Sequence, residues 1–133
     1  MIKMIRHQRV LEPPNLFDIT LEISIDGITY DLHNDFTCKE ANLLKGAFQL
    51  LFQSKTETIT ISFNEPELQI FHLNLESGFE YILDNFHRGK IDKNGKLYED
   101  IEGKYYYYLE FYEEGKIELL CREVSVTIEL LGI

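Results

Sequence analysis

Histidines, cysteines and paired carboxylates carry most side-chain chemistry, and here they stand in few arrangements that specify a reaction. The four histidines, His7, His33, His72 and His87, are scattered, with no H-x-x-x-H or H-E-x-x-H spacing among them and no cysteine pair to complete a zinc site. The tightest group is Asp31, His33 and Asp35. At alternate positions of an extended segment the three would project from one strand face, where they could hold a divalent ion for a small metal-dependent hydrolase. A solvated strand face would display the same residues. His72 lies in an apolar run and reads as a core histidine. Cys38 and Cys121 read as buried reduced thiols, although Cys38 at the first position of a helix would have its thiolate favoured by the dipole. There is no G-x-S-x-G, no phosphate-binding glycine loop and no Cys–His pair with an orienting group. Carboxylate pairs are available among 23 acids, but nothing singles one out.

The tract Tyr98 to Glu118 is the most informative one outside the expected core. It interleaves tyrosines with Glu99, Asp100, Glu102, Glu110, Glu113, Glu114 and Glu118, against Lys104 and Lys116. Read as a strand, YYYYLEFY over 105–112 puts Tyr105, Tyr107, Leu109 and Phe111 on one face and Tyr106, Tyr108, Glu110 and Tyr112 on the other. Glu113-Glu114-Gly115-Lys116 then turns the chain back. Tyr106, Tyr108, Glu110, Tyr112, Glu113 and Glu114 thus form a candidate binding surface for a basic protein partner, in which rings supply contact area and acids steer encounter. The plain alternative is a hairpin whose tyrosines pack on neighbouring strands while its acids face water.

Composition narrows the class of partner. The chain has 133 residues, enough for one domain over 1–133, and its 13 basic against 23 acidic residues give a formal net charge of −10. Such a charge disfavours nucleic acid or an anionic membrane surface as a direct partner and favours a basic protein or a cation. An acidic surface that serves solubility alone is the other reading. No cofactor is implied. Arg6, His7, Gln8 and Arg9 interrupt the N-terminal stretch before a signal-like apolar region can form, and no run of about 18 apolar residues exists to span a membrane. A cytoplasmic location is the expectation.

The positioning elements follow from periodicity. Cys38 to Gln53 reads as the main helix: Ala41, Leu43, Leu44, Ala47, Phe48, Leu50, Leu51 and Phe52 cover one side, and Thr37 with Glu40 suggests a capping box. Strands are expected around it. Residues 2–11 suggest an edge strand before Pro13 and Pro14. Phe17 to Ile25 alternates, Asp26-Gly27 turns the chain, and Ile28, Tyr30, Leu32 and Phe36 resume the inward face. Thr58 to Phe63 alternates again, Asn64-Glu65-Pro66 breaks the chain, and Glu67 to Leu75 reads as a central strand. Ser77 to Gly89 fits either a helix or a strand. Residues 89–104 look like an exposed excursion with an Asn94-Gly95 turn, and the last strand changes parity between Cys121 and Val124, suggesting a bulge near Arg122 and Glu123. The expected fold class is α+β, a mostly antiparallel sheet with one main helix packed on one face.

The segment FDITLEISIDGITYDLHNDFTCKEANLLKGAFQLLF, followed by ITISFNEPELQIFHLNL, resembles the WapI-type immunity proteins of bacterial polymorphic toxin systems. It covers residues 16–75, with Glu65-Pro66-Glu67-Leu68 at the break after Ile61 and Phe63. The resemblance implies a strand hairpin leading into a helix, then strands on either side of the break, and further strands beyond residue 75, which favours the strand reading of 79–86. The family's usual C-terminal helix has no counterpart in Val124 to Leu130, which alternates as a strand. As function it implies a non-enzymatic cytoplasmic protein that binds and blocks a toxin domain, with no site residue carried over. Two alternatives remain open: the metal-dependent hydrolase above, and a structural homo-oligomeric subunit that associates through an exposed sheet edge.

Overall fold

A computed structural model describes residues 3–73, 80–113 and 115–131, with the side chains of all of these except 3–7 and 101. Every regular element among them is a β-strand, so the fold is all-β and not α+β. In chain order the strands are β1 Lys3–Leu11, β2 Glu22–Ile25, β3 Ile28–Asp31, β4 Thr37–Leu44, β5 Ala47–Gln53, β6 Glu57–Asn64 and β7 Glu67–His72. There follow β8 Leu83–Arg88, β9 Lys90–Ile91, β10 Leu97–Tyr98, β11 Asp100–Ile101, β12 Lys104–Phe111, β13 Gly115–Cys121 and β14 Glu123–Leu131.

The expected helix is a hairpin. Residues 37–53 form β4 and β5, joined by Lys45-Gly46, with Leu44 opposite Ala47 and Gly46 at φ +79°. A register shift between Cys38 and Glu40 and the tight turn at 45–46 explain the helix-like spacing. The bulge puts Cys38 and Ala41 three apart on one side, and the turn sets Leu44 three residues before Ala47, so two strands out of phase imitate a 3.6-residue period. Within β5 alone the period is 2: Phe48, Leu50 and Phe52 are buried, while Ala47, Gln49, Leu51 and Gln53 are half-buried.

Two five-stranded antiparallel sheets carry the structure. The first has the order β1-β14-β6-β5-β4. In the second, β13 and then β7 lie on one side of β12, while β8 and the short β11 lie end to end on the other. One ladder bends from sheet to sheet. β14 pairs with β6 as far as Glu123 opposite Asn64, and beyond the break β13 pairs with β7 as far as Leu120 opposite Glu67. At this corner Glu65 adopts φ +50° and its carboxylate meets Arg122 Nε at 2.7 Å. The parity change near Arg122 therefore marks a passage between sheets. The opposite margin is joined by a bridge between Cys38 and Tyr81, with backbone hydrogen bonds of 2.7 and 3.0 Å.

The apolar faces meet in one core. Phe48, Leu50, Phe52, Ile59, Ile61, Phe63, Val126 and Ile128 face Leu83, Phe86, Tyr107, Leu109, Phe111, Ile117 and Leu119. Phe63 lies at its centre, with ring centroids of Phe48, Phe86 and Tyr107 at 6.2, 6.1 and 6.0 Å. The β2–β3 hairpin turns at Asp26-Gly27 as expected and adds Ile23, Ile25 and Tyr30. Its strands are shorter than the alternation suggested: Phe17, Ile19 and Ile28 are exposed, and regular structure starts only at Glu22. β7 pairs with β13 alone among the described residues and is an edge strand rather than a central one, and His72 on it is exposed. The strand reading of residues 79–86 holds for β8, whereas residues 74–79 lie outside the described residues.

Candidate functional site

β12 realises the expected alternation. Tyr107, Leu109 and Phe111 are buried in the core, so Tyr106, Tyr108 and Glu110 stand on the outer face of the second sheet. Across that face the register aligns His87, Tyr108 and Glu118 in one row and Asn85, Glu110 and Lys116 in the next. The His87 ring stacks on Tyr108 at 4.9 Å and 14°, and the Lys116 ammonium lies over the Tyr108 ring at 5.3 Å from its centroid. The Tyr108 hydroxyl donates to Glu110 Oε2 at 2.7 Å. Partial burial and then this carboxylate push the Tyr108 phenol up to about 12, which keeps it a donor.

Tyr106 has a different fate. Gly89, at φ +98°, turns the chain out of β8 into the β9–β10 hairpin, which folds over the outer face and covers Tyr106 with Tyr98 and Lys90. Tyr106 is consequently buried and donates its hydroxyl to Glu118. Glu118 has no exposed side-chain surface, and its carboxylate is held by Lys90 Nζ at 2.8 Å and Lys116 Nζ at 3.1 Å. Burial alone would push this acid up, but hydrogen bonds from Lys90, Tyr106 and Lys116 outweigh it and hold the group below the usual carboxylate range. Burial, then the bond to Glu118, drives the Tyr106 phenol upward.

The expected binding residues thus divide. Tyr106 belongs to an internal cluster and offers nothing to a partner. Tyr108 and Glu110 are hydrogen-bonded neighbours on the outer face, and Tyr112 and Glu113 lie exposed in the turn after β12, with Glu113 at φ +65°. Glu114 lies outside the described residues. The Tyr112 amide donates to the Ile82 carbonyl at 2.8 Å, which brings the exposed Ile82 beside this turn. Nothing in the local pattern distinguishes Ile82, since its exposure depends on how β8 docks. Glu118, one of the acids of the tyrosine-rich tract, is internal instead; Lys116 two residues before it is the one sequence signal of that pairing.

The three candidate metal ligands are not aligned. β3 ends at Asp31, and residues 32–35 turn instead of continuing the strand. Asp31 Oδ1 accepts from the amides of His33 and Asn34 at 3.0 and 2.9 Å, and Oδ2 accepts from the Asn34 side chain at 2.8 Å. Those bonds, led by Asn34, lower its pKa. His33 Nδ1 lies 2.7 Å from the Leu83 carbonyl and 3.4 Å from Asp84. Among the described residues no group of three or more His, Cys, Asp or Glu could hold a metal ion. Cys38 and Cys121 are free and buried, each thiol pushed up to about 12 chiefly by burial, so Cys38 has none of the reactivity that a helix start would have conferred.

The chain matches no family model, no curated protein and no solved structure.

The outer face of the second sheet offers a surface of aromatic and charged side chains. At the β12–β13 turn, exposed Tyr112 and Ile82 sit beside Glu110 and Glu113. Towards the sheet centre the charge is mixed, because Lys90 and Lys116 share the single carboxylate Glu118. At the turn end the exposed acids are Glu110, opposite Lys116 in the register, and Glu113.

Proposed function

We propose that this protein is a non-enzymatic inhibitor of the immunity type, acting in the cytoplasm by binding and blocking a basic protein such as a toxin domain. The observation that carries this reading is the turn end of β12–β13, where Tyr112 is 60% and Ile82 40% exposed beside the acids Glu110 and Glu113. An exposed aromatic anchor with a carboxylate rim suits a basic surface, the ring giving contact area and the acids speeding encounter. The net charge of −10 works in the same direction. The resemblance to WapI-type immunity proteins adds the toxin context, although the helix that it implied at Cys38–Gln53 is the β4–β5 hairpin here.

Immobilised protein is challenged with lysate and secreted fractions at low and moderate salt, and each captured protein is titrated against wild type and a Glu110→Lys/Glu113→Lys variant. One basic protein, bound stoichiometrically and weakened about tenfold or more by the double reversal at unchanged thermal stability, is the expected result. An affinity indifferent to the reversal removes this surface from consideration.

A further inference from the structure

A cleft of about 320 Å³ opens on another part of the molecule, between β1 and β2. The last three residues of β1, Arg9 to Leu11, with Glu12 directly after them, and all four residues of β2, Glu22 to Ile25, line it. A strand that borders a cleft with its face contributes every second residue, whereas one that borders it with its edge contributes successive residues. The cleft therefore lies between two strand edges. Among the described residues β1 pairs only with β14 and β2 only with β3, which leaves the facing edges without ladder partners. The floor is core: Phe86, Tyr107 and Val124 line the cleft although they are 3%, 1% and 4% exposed. Arg9, the cation on the rim, is ion-paired with Asp26 at the tip of the β2–β3 hairpin, so Glu12 and Glu22 set the sign of the opening.

We propose that this cleft receives an extended basic segment of a protein partner as an added strand. Its backbone pairs with the edge of β1. Alternate apolar side chains of about valine to leucine size rest on Phe86, Tyr107 and Val124, and flanking lysines or arginines meet Glu12 and Glu22. Four strand residues span roughly 13 Å, so a short segment suffices. The charge of the whole molecule, −10, favours such an occupant over a second copy of this chain, which carries the same charge. The cleft shares no residue with the β12–β13 turn surface and stands or falls without it.

The test uses the isotope-labelled 133-residue protein and three capped heptapeptides: one alternating valine with lysine, one alternating valine with glutamate, and the first again with alternate backbone amides methylated. The basic peptide is expected to shift and slow the exchange of amides in residues 8–12 and 22–25, with the acidic one at least tenfold weaker and the methylated one losing most of its binding. A Glu12→Lys/Glu22→Lys variant should reverse the order of the basic and acidic peptides. Where that variant fails to fold, the methylated peptide decides on the wild type. Three results would overturn the proposal: no binding at millimolar basic peptide, shifts spread over other acidic surfaces and indifferent to methylation, or slowed exchange in residues 8–12 on self-association without peptide.

Discussion

Glu118 shows how a residue type that usually marks solvent can be recruited inward. Its carboxylate lies on the outer face of a sheet, yet the β9–β10 hairpin closes over it and supplies one of its two lysines. Since hydrogen bonding holds its folded pKa below the unfolded value, the ionised group stabilises the fold above the ordinary carboxylate range. That contribution is lost as pH falls through the depressed folded value. Both lysines remain 37% and 39% exposed, so water screens much of the ion-pair energy, and the hydrogen bonds carry most of the effect. A Glu118→Gln variant is expected to lose about 1–2 kcal/mol at neutral pH, measured by urea unfolding. The gap between the variant and wild type should hold from pH 7 to about 5 and narrow below about 4.3. A gap that stayed constant to pH 3 would assign the loss to packing alone. Asp31 makes the complementary point: three hydrogen bonds to its own turn occupy the carboxylate that a strand reading would have offered to a metal.

The decisive element is the β4–β5 hairpin, because its sequence satisfies a helical pattern while its structure is two strands. Gly46 is the residue that separates the two readings. In a helix interior a glycine costs roughly 1 kcal/mol relative to alanine, whereas at φ +79° it removes a penalty that any side chain would bring. Gly46→Ala is therefore expected to destabilise the protein by about 1 kcal/mol and lower Tm by roughly 4 °C. Gly46→Asn should recover part of that loss, since asparagine tolerates the left-handed region. A helix would give the opposite sign for alanine, so calorimetry on these two variants distinguishes the elements directly. Space is no obstacle to either substitution, because a Cβ at Gly46 would meet no atom within 4 Å.

On the scale of the whole molecule, the two sheets depend on a single seam of aromatic and aliphatic side chains. Phe63 touches rings from both sheets, Phe48 on β5 and Phe86 and Tyr107 on β8 and β12, and it is fully buried. Phe63→Ala should cost about 3–5 kcal/mol in chemical denaturation, with one cooperative transition. Two separate transitions would mean that the sheets form independent cores. Charge, local alternation and turn chemistry were determined by the sequence alone. The inward series Ile59, Ile61 and Phe63, the two faces of β12 and the Asp26-Gly27 turn are legible because strand periodicity and positive-φ glycines are local properties. Tertiary structure alone decided that residues 38–53 are strands, since the pairs Phe48 with Phe63 and Phe52 with Ile59 form only once β6 lies alongside. The same is true of Glu118 and Tyr106, which the β9–β10 hairpin withdraws from solvent, and of the edges of β1 and β2 that lack ladder partners among the described residues. Pairing and burial between distant segments depend on which surfaces meet, and no local window of residues carries that information.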